Sequence, residues 1–262
     1  MSGPGPVVPV SGEQAAAFDL GEGDCAVLCL HGFTGTPYEV RPLGEALAAA
    51  GYRARGPMLP GHGSSLAELA GASYRDWLAA AHAEFRELAG RHERVCVVGL
   101  SMGGLLTLSL CAEQPVAMAA VIGTPLRLRF PIPQLVPLLR YVLPSVPKRG
   151  GSDIRDPLAR ARHPSAPRMP LAGIHEVLRA QRHVRALLPR IATPLLVAHG
   201  RHDATADPRH ASRICRAVSS TRCERLMLEN SAHVVPVDHD GPQLAAALVA
   251  FLGGSREASQ RC

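Results

Sequence analysis

The chain has 262 residues, 47% of them hydrophobic, and a formal net charge of +6. That length and apolar content suffice for one large buried core, and no apolar run is long enough to span a membrane. Aromatic residues make up only 4% and no basic stripe interleaves them, which excludes a nucleic-acid partner. The charge is uneven: between Arg127 and Arg190 stand twelve arginines and Lys148 against Asp153, Asp156 and Glu176. The other residues are net acidic.

Residues 1–14 read as a flexible arm rich in Pro, Gly and Ser, without the basic and apolar regions of a signal peptide. Seven cysteines are scattered without metal-type spacing, and Cys25 and Cys29 lie too far apart on one strand to bridge. Buried reduced thiols and a cytoplasmic location are therefore expected. Cys25–Leu30, Tyr52–Arg55, Val95–Val98, Ala119–Ile122 and Pro194–Ala198 read as buried parallel strands. Cys223–Leu228 alternates and fits a strand nearer the edge. Helical patterns cover Tyr38–Ala50, Ser73–Arg91, Met102–Glu113, Pro208–Val218 and Gln243–Leu252. This rhythm predicts an α/β fold with a mostly parallel, doubly wound sheet. Residues 15–124 and 191–255 would form its core. Residues 125–190, Pro-rich, apolar and basic, break the rhythm and read as a small cap inserted after the sixth strand.

The most informative run is Gly99-Leu100-Ser101-Met102-Gly103, between a buried strand and a helix. A sharp strand-to-helix turn lifts the serine hydroxyl clear of the sheet, and the flanking glycines let the backbones approach. The helix aims its first N–H groups at the same spot. Open α/β sheets carry their sites at the carboxyl ends of the strands. There the chain presents Ser101, then Asp203 in His199-Gly200-Arg201-His202-Asp203, then His233 in Glu229-Asn230-Ser231-Ala232-His233. This is a nucleophile, an orienting acid and a base, the set needed for acyl transfer without any metal or organic cofactor.

The stretches LCLHGFTGTP (28–37), PGHG (60–63), VVGLSMGG (97–104), PLLVAHGRHDATADP (194–208) and NSAHVVPVD (230–238) resemble the α/β-hydrolase family. They look most like small bacterial carboxylesterases and monoacylglycerol lipases with a short cap. The resemblance spans residues 25–252, although the cap matches only in position and size. It implies an α/β-hydrolase fold, a serine ester hydrolase, and an oxyanion hole formed by the backbone N–H groups of Phe33 and Met102. The family usually has Ser-Gly-His before the last triad member, whereas this chain has Ser231-Ala232-His233.

Rival readings stand beside this one. His31 and His62 read as loop organisers rather than catalysts. His199, His202 and Asp203 form an alternative metal-ligand set, without a zinc spacing. Asp207 and Asp238 compete for the acid role, but Asp207 is placed to cap the next helix, and Asp238 is expected in solvent, with contact to the loops near His233 as the alternative. In the cap, Phe130, Leu135, Leu138, Leu139 and Val142 are expected to line an acyl channel, with packing onto the sheet edge as the alternative. The arginines around them are either a solvated surface or a contact with an anionic lipid surface. The expected activity is hydrolysis of medium- or long-chain monoesters such as monoacylglycerols. Thioester hydrolysis, acyl transfer to another alcohol, and lipid binding on a hydrolase scaffold stay open, because fold and triad do not separate them.

Overall fold

In the computed structural model the described residues are 12, 15–129, 131–148 and 150–254; the expected N-terminal arm, residue 12 apart, and Phe130 lie outside them. The apolar runs form the parallel strands expected of them. β1 (Phe18–Leu20), β2 (Cys25–Leu30), β3 (Arg53–Gly56), β4 (Arg94–Leu100) and β5 (Ala119–Ile122) come first. β8 (Leu195–Gly200) and β9 (Cys223–Leu228) join them in a sheet of order β1-β3-β2-β4-β5-β8-β9. Every pair in it is parallel except β1 with β3.

Strand alternation divides the core into two layers. Along β4, Val95 and Val97 face one side, and Cys96, Val98 and Leu100 face the other. A short α2 (Leu66–Gly71) precedes α3 (Tyr74–Ala89), which covers the first layer together with α4 (Met102–Glu113), α7 (Leu171–Leu187) and α8 (Arg209–Ala217). The second is covered by α1 (Arg41–Ala49) and α9 (Gly241–Gly253). The start of α3 is fixed by a capping box between Ser73 and Asp76. Its apolar stripe buries Trp77, Ala81, Phe85 and Leu88 completely or nearly so. Removing one such large side chain would cost about 3–5 kcal/mol through lost burial and the cavity left behind.

Between β5 and β8 the chain builds α5 (Ile132–Leu139), α6 (Pro157–Arg162), α7 and a two-stranded ribbon of β6 (Ser145–Pro147) with β7 (Arg168–Pro170). Among the described residues the strand before this insertion is the fifth in the chain, not the sixth. The thiol expectation also needs correction. Cys215 of α8 and Cys223 of β9 form a disulfide, because the turn between helix and strand brings their Cα atoms to 5.6 Å. Cys25, Cys29, Cys96 and Cys111 are buried thiols. No helix among the described residues is long and apolar enough to cross a membrane.

Candidate active site

Ser101 stands between β4 and α4 with φ 55° and ψ −112°, a backbone state that L-residues rarely adopt. Two glycines make the turn possible. A Cβ on Gly99 would lie 2.2 Å from the Gly103 carbonyl oxygen, and one on Gly103 would lie 2.1 Å from that of Leu30. Among the described residues the only other non-glycine with positive φ is Thr34 at 67°, in the loop opposite. Both strained positions therefore flank the same space.

The structure brings the three distant side chains together. His233 Nε2 is 2.9 Å from Ser101 Oγ, and His233 Nδ1 is 2.8 Å from Asp203 Oδ2. Since Nδ1 faces a carboxylate, it carries the proton and Nε2 presents its lone pair to the serine. Asp203 is almost fully buried yet amply partnered. Its Oδ1 accepts N–H bonds from Thr205 at 2.9 Å and Ala206 at 2.7 Å, and His199 Nε2 lies 2.9 Å from Oδ2. Burial pushes this carboxyl upward, but the two histidines outweigh it and hold it well below its ordinary value. Burial likewise pushes His233 down, and the charge and hydrogen bond of Asp203 outweigh that, so its pKa is raised.

His199 is thus a partner of the acid, while His202 is exposed. Asp207 accepts the Arg209 N–H at the start of α8, as a cap would. Asp238 is not in solvent. It is 5% exposed and accepts the N–H groups of Ala232, His239, Arg155 and Asp156. It thereby ties the histidine loop to the insertion, and backbone donors at four positions explain why a carboxylate is buried there. Ala232, in place of the usual glycine, keeps a negative φ and is buried, so the departure is accommodated.

A second device from the insertion, which the sequence did not disclose, is Asp153. Its Oδ2 accepts bonds from Ala204 N, Thr205 N and Thr205 Oγ1, each at 2.9 Å. Its backbone carbonyl accepts from the N–H groups of His233 and Val234. One residue therefore holds both the acid loop and the base loop.

The loop containing Phe33 is fixed in a similar way. His31, fully buried, bonds the Gly32 carbonyl through Nδ1 and accepts the Leu59 N–H at Nε2. His62 bonds the Pro60 carbonyl and packs edge-on against His31 at 4.9 Å; burial pushes its pKa down to about 3. Both rings organise loops. Glu39, also buried, accepts the Gly32 N–H at 2.8 Å and lies 3.1 Å from His163 Nε2. Burial pushes Glu39 up, but His163, His31 and the Gly32 N–H bring it down to about 2. The lone lysine, Lys148, joins this group through the hydroxyls of Thr34, Ser152 and Ser165.

Ser101, Met102, Phe33 and His233 line one cavity of about 530 Å³. Met102 is the first residue of α4, where backbone N–H groups have no acceptor within the helix. Leu128, Ile132, Met169, Ile174 and Val177 form the apolar wall. The expected channel residues are not among them. Leu135, Leu138, Leu139 and Val142 are 46%, 72%, 38% and 79% exposed. Of α5, Ile132 lines the cavity and Val136, four residues on, is buried; Leu138 lies on the opposite side of the helix, while Leu135 and Leu139 share the Ile132 face yet stay exposed.

The family described as serine aminopeptidase, S33 (Hydrolase_4), matches residues 21–240. The chain belongs to this family of α/β-hydrolases. It is 34% identical over 244 residues to a thermostable monoacylglycerol lipase of Bacillus sp. (strain H-257), covering 90% of this chain and 94% of the relative. It is 27% identical over 224 residues to a carboxylesterase of Bacillus subtilis (strain 168), covering 85% and 90%. A solved structure of a metagenome-derived lipolytic enzyme superposes with a TM-score of 0.86 at 32% identity, covering 91% of this chain and 97% of the other.

Proposed function

We propose that this chain, a serine ester hydrolase, cleaves monoesters of medium- or long-chain acids, such as monoacylglycerols, through an acyl-enzyme on Ser101. The observation that carries the reading is the continuous line from Asp203 through His233 to Ser101, ending at the mouth of a cavity with an apolar wall.

In this reading His233 Nε2 takes the Ser101 proton as Oγ attacks the ester carbonyl. The tetrahedral oxyanion is held by the backbone N–H groups of Phe33 and Met102. Asp203 stabilises the imidazolium that forms. On collapse His233 gives its proton to the departing alcohol. A water molecule, deprotonated by His233, then attacks the acyl carbonyl, and Ser101 regains its proton as the acid leaves. Leu128, Ile132, Met169, Ile174 and Val177 take the acyl chain, a size and lining in keeping with the lipase and carboxylesterase names of the relatives.

Residues 125–190 act as the cap over the core formed by 15–124 and 191–255. The exposed apolar residues Leu135, Leu138, Tyr141 and Val142, among the cap arginines, suit contact with a lipid surface from which the substrate is drawn. The test is kcat/KM on p-nitrophenyl esters of short, medium and long chain, with wild type, Ser101→Ala and Ile174→Trp. We expect kcat/KM to rise from short to medium chain, the tryptophan to shift the optimum toward shorter chains, and Ser101→Ala to remove turnover. Activity retained in Ser101→Ala, or a preference for the shortest ester, would overturn the reading.

A further inference from the structure

The insertion walls two cavities, and its consecutive residues face opposite ways. Leu128, Ile132, Ile174 and Val177 face the catalytic cavity. Leu126, Arg127, Pro133, His175 and Leu178 face a second one of about 500 Å³, on the other side of α5 and α7. The two share no lining residue.

Four arginines line this second cavity: Arg127 before α5, Arg182 and Arg185 on α7, and Arg213 on α8. No carboxylate lines it among the described residues. Glu176, the acid nearest in sequence on α7, is turned to Arg179 and to the Tyr74 N–H. Some arginines elsewhere sit against acids: Arg53 and Arg55 with Asp19, Arg201 with Glu229, Arg209 with Asp207, Arg222 with Glu224. In the second cavity like charges are gathered instead, and Arg185 is pushed below its ordinary pKa by burial and by the charges of Arg127 and Arg182. Its one hydrogen bond goes to the Leu126 carbonyl. Gln181, which also lines the cavity and is 1% exposed, accepts the Leu128 N–H at its carbonyl oxygen, while its amide Nε2 has no partner. A buried donor left unmade is costly, and four unneutralised cations in one concavity repel one another. An anion with several acceptor oxygens relieves both conditions at once.

We propose that this cavity binds a phosphate group, its oxygens held by Arg127, Arg182, Arg185 and Arg213 with the Gln181 amide. A tetrahedral phosphate oxyanion suits a set of forked donors approaching from three segments of the chain. The group belongs either to a soluble phosphate compound or to a phospholipid head group.

Calorimetric titration with inorganic phosphate, and sedimentation with phosphatidylcholine vesicles with and without phosphatidylglycerol, decide the question. Three proteins are compared: wild type, Arg182→Gln/Arg185→Gln, and a control of equal charge loss, Arg75→Gln/Arg86→Gln on α3. Wild type and control should bind phosphate saturably, and the cavity variant about tenfold or more weakly for each guanidinium removed. Hydrolysis of a short p-nitrophenyl ester should be unchanged in all three, showing an intact fold. Vesicle binding that needs phosphatidylglycerol, is competed by phosphate and is lost in the cavity variant assigns the head group. Phosphate binding without such vesicle binding assigns the soluble source. Failure to bind either probe, or equal weakening in the control variant, would overturn the site.

Discussion

The strained backbone at Ser101 allows catalysis and stability to be separated by two substitutions at one position. Ser101→Ala and Ser101→Gly both delete the hydroxyl and its bond to His233. Alanine keeps the Cβ that makes φ 55°, ψ −112° unfavourable, and glycine does not. A residue held in such a region costs about 1–3 kcal/mol. Against this stands the additional freedom of glycine in the unfolded chain, about 0.5–1 kcal/mol. The glycine variant should therefore be the more stable of the two inactive proteins by about 1 kcal/mol, or about 2–4 °C in Tm for a chain of this size. Thermal and urea unfolding of the pair measures the difference. A glycine variant equal to or less stable than the alanine variant would refute the claim that the turn stores strain.

Further expectations follow from the contacts. His233 must be neutral to act as a base and its pKa is raised, so kcat/KM should climb with pH through a midpoint above the usual histidine value. Asp203→Asn should lower both that midpoint and kcat; a pH-independent rate between about 5 and 8 would contradict the assignment. The same groups set the stability profile with opposite signs. The protonated His233 stabilises the fold below its unfolded pKa, and this is lost as pH rises through the folded value. The depressed Asp203 and Glu39 contribute above their unfolded values and lose that contribution as pH falls, Glu39 toward about 2. Acid-titrated melts should show it. Asp153→Ala should lower kcat about 10–100-fold with little change in KM, since it removes three bonds to the acid loop, and Asp153→Asn should restore most of it. Equal losses in both would point away from a positioning role. Glu39→Ala strands the Gly32 N–H and His163 and should destabilise by about 3–5 kcal/mol in urea titrations.

How much of this was legible beforehand depends on how local the signal is. Each of β2, β4, β5 and β8 is buried on both faces, so an unbroken apolar run marks it. Ser101 and Asp203 each follow such a strand and His233 follows the less buried β9, and the rule that sites lie at carboxyl ends places all three on one edge. The insertion was opaque for the opposite reason. Its apolar residues are spread around α5 rather than confined to one stripe, so sequence does not tell Ile132, which lines the cavity, from Leu138, which is exposed. Asp153, Asp238, Glu39 and Lys148 act through backbone N–H groups or partners far away in the chain. The Asp238–Arg155 bond spans 83 positions, and no periodicity reports such a pairing. The Cys215–Cys223 bridge is not legible in the sequence, because a helix end, a turn and a strand start must be positioned together before the sulfurs meet.

The most direct test of the central claim is mass mapping after exposure to a fluorophosphonate. One adduct is expected, on Ser101, formed faster as His233 loses its proton with rising pH, and absent in Ser101→Ala. Labelling at another residue, or none at a pH where the ester is hydrolysed, would contradict it.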